Sequence, residues 1–221
     1  MAQVSISLLG IEAETDPELD ANLRLLTDRG TIRCRHHEED DGDAAILWVF
    51  GAGGGLGGPA GGVYTRLARR FADRGIASLE LAYREPGNLA ECVLDTLAGL
   101  AWLESRGRGR LVLVGHSFGG AVVLNAAAAS PTVVAVAALS SQTAGIGDIA
   151  PLSPRPLLFA HGEDDEILPA TCSRELYERA EEPKELIIYP ACRHGLDDCG
   201  EQLDADLMRW IEAALVPQFA G

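Results

Sequence analysis

Basic side chains are scarce in this chain: 18 lysines and arginines stand against 33 aspartates and glutamates over 221 residues, a net charge of −15. No surplus of positive charge is left to neutralise phosphates, which argues against nucleic acid, anionic membrane surfaces and polyanionic substrates as partners. Aromatic residues are few, at 5%, and no apolar run approaches the roughly 18 residues of a membrane span. The first eleven residues hold neither Lys nor Arg, so the charged start of a secretory signal is missing. Cysteine lacks a diagnostic pattern. Cys34, Cys92, Cys172, Cys192 and Cys199 make an odd number without a CxxC spacing, which disfavours a secreted disulfide framework and leaves them as buried or incidental thiols. Neither Cys192, His194 and Cys199 nor Cys34, His36 and His37 have zinc-ligand spacing. The expectation is a cytoplasmic protein without metal, cofactor, nucleic-acid or membrane partner, its oligomeric state unset.

What the chain does have is apolar residues, at 47%. A chain of this length buries about three-quarters of its unfolded surface in one core without help from disulfides or metal. With no repeat and no linker, residues 1–221 read as a single domain. From residue 44 onward short Val/Ile/Leu-rich runs alternate with helical stretches. Strands are predicted at Ala44–Phe50, Ile76–Leu81, Arg110–Val114, Val133–Leu139, Pro156–Ala160 and Glu185–Tyr189. Their continuous hydrophobicity suits a parallel sheet covered on both faces, a three-layer α/β/α sandwich. Val63, Leu67 and Phe71 mark one helix face, and Leu203, Leu207, Trp210, Ile211 and Ala214 another. Asn88 with Glu91 opens a helix that Gly107 closes, and Ser130-Pro131 ends an Ala-rich one. Val4–Leu9 and Thr31–His36 are two candidate opening strands, and the charge run 38–43 a solvated turn.

Strand Arg110–Val114 runs into Gly115-His116-Ser117-Phe118-Gly119-Gly120 and then a helix, the context a GxSxG nucleophile elbow demands. A serine hydroxyl is a poor nucleophile at neutral pH, so it must stand clear of the backbone beside a base and near donors for a developing oxyanion. The tight turn supplies that, with Gly115 and Gly119 where the chains approach closely. The Phe118 amide at the helix start aims a donor at the oxyanion with the helix dipole behind it. Beyond strand Pro156–Ala160 lies His161-Gly162-Glu163-Asp164-Asp165-Glu166-Ile167-Leu168-Pro169, and beyond strand Glu185–Tyr189 lies His194. Nucleophile, acid and histidine thus follow one another along the chain, each past the C-terminal end of a parallel strand.

The elbow GHSFGG, the acid segment HGEDDEILP and the late His194 resemble the α/β-hydrolase superfamily, with the small lidless body of its dienelactone-hydrolase-like and carboxylesterase members. The resemblance covers nearly all of residues 44–215. It implies a Ser117, Asp165, His194 triad, the acid being the aspartate of HGxxDxxxP with Asp164 as fallback. It also implies that the loop after Phe50 gives the second oxyanion N–H, at Ala52 with Gly53 as neighbour. Two departures stand out: dienelactone hydrolases carry cysteine where Ser117 stands, and Phe50 occupies a position often held by histidine. The expected reaction is cofactor-free hydrolysis of a small carboxylic ester or thioester through an acyl-enzyme. Little chain is left for a lid. Residues 141–154 alone could cover the site, with Ile146 and Ile149 as candidate substrate contacts and Tyr83-Arg84 near the mouth.

Two rival readings remain. Gly53, Gly55 and Gly58 satisfy GxGxxG between a strand and a helix, with Glu80 about 20 residues on, the dinucleotide-binding spacing; six glycines in eight residues match that pattern easily, and it leaves Ser117, Asp165 and His194 unexplained. The other is a hydrolase-fold receptor in which the same residues bind a ligand with little turnover.

Overall fold

The computed structural model describes residues 5–16, 19, 21–38 and 42–215. In chain order the elements are β1 (Leu8–Ala13), β2 (Leu23–Thr27), β3 (Gly30–His37), β4 (Ala44–Val49), α1 (Pro59–Ala72), β5 (Ala77–Ala82), α2 (Leu89–Ser105), β6 (Arg110–His116), α3 (Phe118–Ala129), β7 (Val133–Leu139), β8 (Leu157–Gly162), α4 (Thr171–Arg179), β9 (Lys184–Tyr189) and α5 (Gly200–Leu215). The nine strands form one sheet in the order β1-β2-β3-β5-β4-β6-β7-β8-β9. Pairings from β5 through β9 are parallel, while β1, β2 and β3 add an antiparallel extension to β5.

The chain leaves β4 toward β5 on one side and returns past β4 to β6 on the other. This reversal opens a crevice at the C-terminal ends of β4 and β6, where ligands of doubly wound sheets bind. Every residue of β4 is buried, because helices cover both of its faces. On one face Val63, Leu67 and Phe71 of α1 and Leu203, Leu207 and Ile211 of α5 are fully buried, and Trp48 meets the Tyr64 and Phe71 rings at 5.1 and 6.4 Å. On the other face lie α2, α3 and α4 with a second apolar cluster. Helix α2 comes close to the sheet at Gly99, where a Cβ would fall 2.8 Å from a Leu47 methyl. Fully burying each large aliphatic side chain contributes roughly 1.5–3 kcal/mol, so the two clusters carry the fold.

Asn88 caps α2 by accepting the Glu91 N–H at 3.4 Å, but the Glu91 carboxylate turns to Arg29 and Arg84 instead of closing the capping box. The opening region differs from expectation. The first strand is Leu8–Ala13 rather than Val4–Leu9, fixed by its pairing of Ile11 with Leu25 and Ala13 with Leu23. Residues 5–7 precede it, and Val4 and positions 39–41 of the charge run lie outside the described residues. Strand β2 was not anticipated. It is a five-residue piece whose role comes from tertiary pairing on both edges.

Candidate active site

Ser117 joins β6 to α3 with φ 58° and ψ −120°, a strained conformation for a residue with a side chain. Its N–H donates to the Leu139 carbonyl of β7 at 2.8 Å, which fixes the turn and leaves the hydroxyl outside the backbone bonding. The flanking glycines are steric necessities. A Cβ on Gly115 would lie 2.1 Å from the Gly119 carbonyl oxygen, and one on Gly119 would lie 2.3 Å from that of Phe50. Phe118 is the first residue of α3, so its amide has no intrahelical acceptor.

The structure brings the three distant side chains together. His194 Nε2 lies 3.0 Å from Ser117 Oγ, and its Nδ1 lies 2.7 Å from Asp165 Oδ2. An Nδ1–H tautomer donates to the carboxylate and leaves Nε2 to accept the serine proton. The other carboxylate oxygen accepts the Ile167 and Leu168 amides at 2.8 and 2.7 Å. Burial pushes the Asp165 carboxyl up, but those amides and His194 outweigh it and hold it below its ordinary value. Asp164 is exposed and binds through its backbone to Cys192, so Asp165 rather than Asp164 reaches the imidazole.

Two further histidines support this chain, and sequence reasoning passed over both. His161, fully buried, places Nε2 3.0 Å from Asp165 Oδ2 and 3.0 Å from the Leu168 carbonyl, while Nδ1 lies 2.7 Å from Ser173 Oγ. Its Nε2 hydrogen bond goes to the Leu168 carbonyl with the Asp165 carboxylate alongside, and burial lowers its pKa. His116 Nε2 donates to the His194 carbonyl at 2.9 Å, with the two rings 4.8 Å apart. Burial brings the His116 pKa down to about 4, and its Nδ1 has no partner among the described residues. The signals were present, one histidine opening HGxxD and the other preceding Ser117, but neither motif says what its histidine touches. Glu166 adds an acceptor for the His194 N–H at 3.2 Å.

The glycine loop runs beside Ser117. Gly54 N–H bonds to the Gly51 carbonyl in a tight turn, and a Cβ on Gly51 would be 3.6 Å from that of Ser117. Ala52 follows in the same turn and is exposed. The loop is fastened from below by Glu80, whose side chain is 1% exposed. Its carboxylate accepts the Gly57 amide at 2.7 Å and also binds His37 and Thr65 at 2.9 Å and Arg35 at 3.1 Å. That occupancy removes Glu80 from the dinucleotide reading, which needs a carboxylate open to a ribose. Tyr83 turns inward, its hydroxyl donating to the Phe50 carbonyl at 3.1 Å. Arg84 is spent on Asp95, Glu91 and the Arg29 carbonyl. Ile149 is buried in the α2–α4 face and is therefore not a substrate contact; Ile146 is half-buried against that face.

One cysteine expectation is corrected. Cys192 and Cys199 form a disulfide across the segment that carries His194, while Cys34 and Cys92 are buried thiols and Cys172 is half-buried. Among the described residues, no group of three or more His, Cys, Asp or Glu side chains is arranged to hold a metal ion, and no helix is long and apolar enough to cross a membrane.

A mostly parallel sheet between helical layers, with a serine on a strained turn at its switch point, defines the α/β-hydrolase fold. Residues 61–207 match the dienelactone hydrolase family, and the chain belongs to that family. The Escherichia coli protein YfhR is 33% identical over 135 residues, 49% of this chain and 48% of that protein. The chain thus spans about half the length of the curated relatives it matches. XC6422 from Xanthomonas campestris, an α/β serine hydrolase without lid, superposes with a TM-score of 0.71 at 23% identity, covering 93% of this chain and 99% of that one. GrgF, an α/β hydrolase from Penicillium, gives 0.71 at 16% identity, covering 93% and 98%.

Proposed function

We propose that this protein is a cytoplasmic serine hydrolase, one domain over residues 1–221, that cleaves small carboxylic esters or thioesters through an acyl-enzyme. The supporting observation is the unbroken line Ser117 Oγ, His194, Asp165 at 3.0 and 2.7 Å. As Ser117 attacks the carbonyl, His194 Nε2 takes the hydroxyl proton and then delivers it to the leaving oxygen or sulfur. Asp165 stays ionised and stabilises the imidazolium. The Phe118 amide and an amide of the Gly51–Gly54 turn, at Ala52, receive the oxyanion. Water repeats the sequence and releases the acid. The absence of a lid in XC6422 is in keeping with an open site and short acyl chains.

The test is labelling with a fluorophosphonate probe, followed by an ester panel of increasing acyl length. Wild type is expected to label at Ser117, Ser117→Ala to lose the label with at least ~10³-fold of the turnover, and acetate or butyrate esters to be preferred. A label on another residue refutes the nucleophile. Labelling at Ser117 without ester turnover favours the ligand-receptor reading instead, and faster cleavage of long-chain esters contradicts the open small pocket.

A further inference from the structure

The Cys192–Cys199 bond spans a sequence separation of seven and encloses His194, so it holds the segment that delivers the general base of the proposed reaction. Its two ends are differently placed. Cys192 is fully buried; its carbonyl accepts the Asp164 N–H at 3.0 Å, and it fits against β8 only because Gly162 has no side chain, a Cβ there falling 2.2 Å from the Cys192 oxygen. Cys192 therefore sits where the acid loop and the histidine loop meet. Cys199 ends the short turn Asp197–Cys199 that leads into α5. It is half-buried and lines a surface cavity of about 700 Å³ together with Asp197, Asp198, Glu201 and Asp204. Cys199 is thus the more exposed end of the bond and Cys192 the buried one.

We propose that Cys192–Cys199 is a thiol–disulfide exchange site that sets the order of the His194 loop, and with it the activity of the hydrolase. The inference rests on the proposed serine chemistry for its effect on turnover, not for the exchange itself. In opening, a thiolate of a dithiol reductant attacks Cys199 Sγ and Cys192 Sγ leaves as thiolate. The second thiol of the reductant then displaces Cys199, the reductant departs as a cyclic disulfide, and the two protons it gives up end on the two cysteines. In closing, Cys199 thiolate attacks a low-molecular-weight disulfide and expels one thiol. Cys192 thiolate then attacks Cys199 Sγ and expels the second. Disulfides in reducing compartments are mostly transient, catalytic or redox-sensing, and this pair is the accessible kind. The closed form is the active one, because the Asp165, Glu166 and His116 contacts to His194 all require the loop in its present path.

Four carboxylates line the cavity, offset in part by Arg66 on Asp204 and Arg193 on Asp198. Negative charge beyond that of the attacking thiolate is repelled there, so dithiothreitol, whose thiolate is its only charge, opens the bond faster than glutathione, whose two carboxylates outweigh its ammonium, at equal thiolate concentration.

The experiment has three readouts on the oxidised and the dithiothreitol-reduced protein: thiols counted by a maleimide mass tag, amide hydrogen exchange over residues 193–198, and the rate of fluorophosphonate labelling. Oxidised protein is expected to show three free thiols and reduced protein five, with exchange over 193–198 rising and labelling falling by about tenfold on reduction. The Cys192→Ser/Cys199→Ser double variant is expected to behave as the reduced form and ignore dithiothreitol, whereas Cys172→Ser still responds. Should the double variant fail to fold, the reduced wild type carries the same readouts. Five free thiols without reductant, or exchange over 193–198 agreeing within about twofold between the two forms, overturns the proposal. Loss of labelling in both forms refutes the serine chemistry, while hydrogen exchange still decides the redox site.

Discussion

Asp165 has three hydrogen-bond donors, two amides and the His194 imidazole, with His161 Nε2 3.0 Å from the oxygen that His194 binds; in the proposed mechanism only His194 acts on the substrate. His161 is the positioning member. It ties down the acid loop through the Leu168 carbonyl and packs its ring against the carboxylate, so its loss leaves Asp165 free to tilt away from His194. His161→Ala is expected to lower kcat about tenfold or more with little change in KM, and His161→Asn, which keeps a donor, to recover part of it. An unchanged kcat in His161→Ala means that the amides of Ile167 and Leu168 suffice. Glu80 acts at the same scale but on the other wall of the site, holding the glycine loop through Gly57.

At the scale of elements, the site is made by strand ends that end where glycines allow. Gly162, the last residue of β8, has the Cys192 and Arg193 carbonyl oxygens at 2.2 and 2.8 Å from where a Cβ would stand. Gly162→Ala is therefore expected to push the His194 loop off the acid loop and to cut kcat/KM by about 10²-fold, with folding intact by circular dichroism; wild-type activity in that variant contradicts the close approach. These contacts also mark how far the sequence could be read. Helices α1, α2, α3 and α5 and the parallel strands came through because their apolar residues lie at 3.6-residue spacing or in unbroken runs, as in Val63, Leu67, Phe71 and Ala44–Val49. The positions of Ser117 and His194 were readable from the strand-to-helix turn and the chain order. Strand β2 was not, since its five residues acquire a partner on each edge only in the folded sheet. The Cys192–Cys199 pairing was hidden by the odd count of cysteines, and Glu80 looked like a ribose ligand because spacing cannot reveal which groups a carboxylate already serves.

For the molecule as a whole, the buried His116 and His161 and the half-buried His36 set the response to acid. Burial takes His116 and His36 down to about 4 and lowers His161, against an unfolded value of ~6.5. Below that value the unfolded chain binds more protons than the native one, so their stabilising effect is complete above pH ~6.5 and is lost progressively toward pH ~4. For His116 alone this amounts to about 3 kcal/mol. Asp165, held low, adds a loss at still lower pH, while Asp95, held up by burial, opposes it in the carboxylate range. The melting temperature is expected to fall steadily from pH 7 to pH 4.5 in differential scanning calorimetry. A constant value across that interval refutes the neutral, buried state of these rings.

The two apolar clusters give the molecule a last property. Phe118 and Val122, behind Ser117, belong to one side of the sheet, whereas Cys192 and Leu196, on either side of His194, belong to the other. The bond between hydroxyl and imidazole is thus a clasp joined from opposite halves, made only when both are seated. Turnover by the proposed chemistry then serves as a built-in gauge of assembly: whichever half slackens first, the clasp opens before the remainder of the protein comes apart.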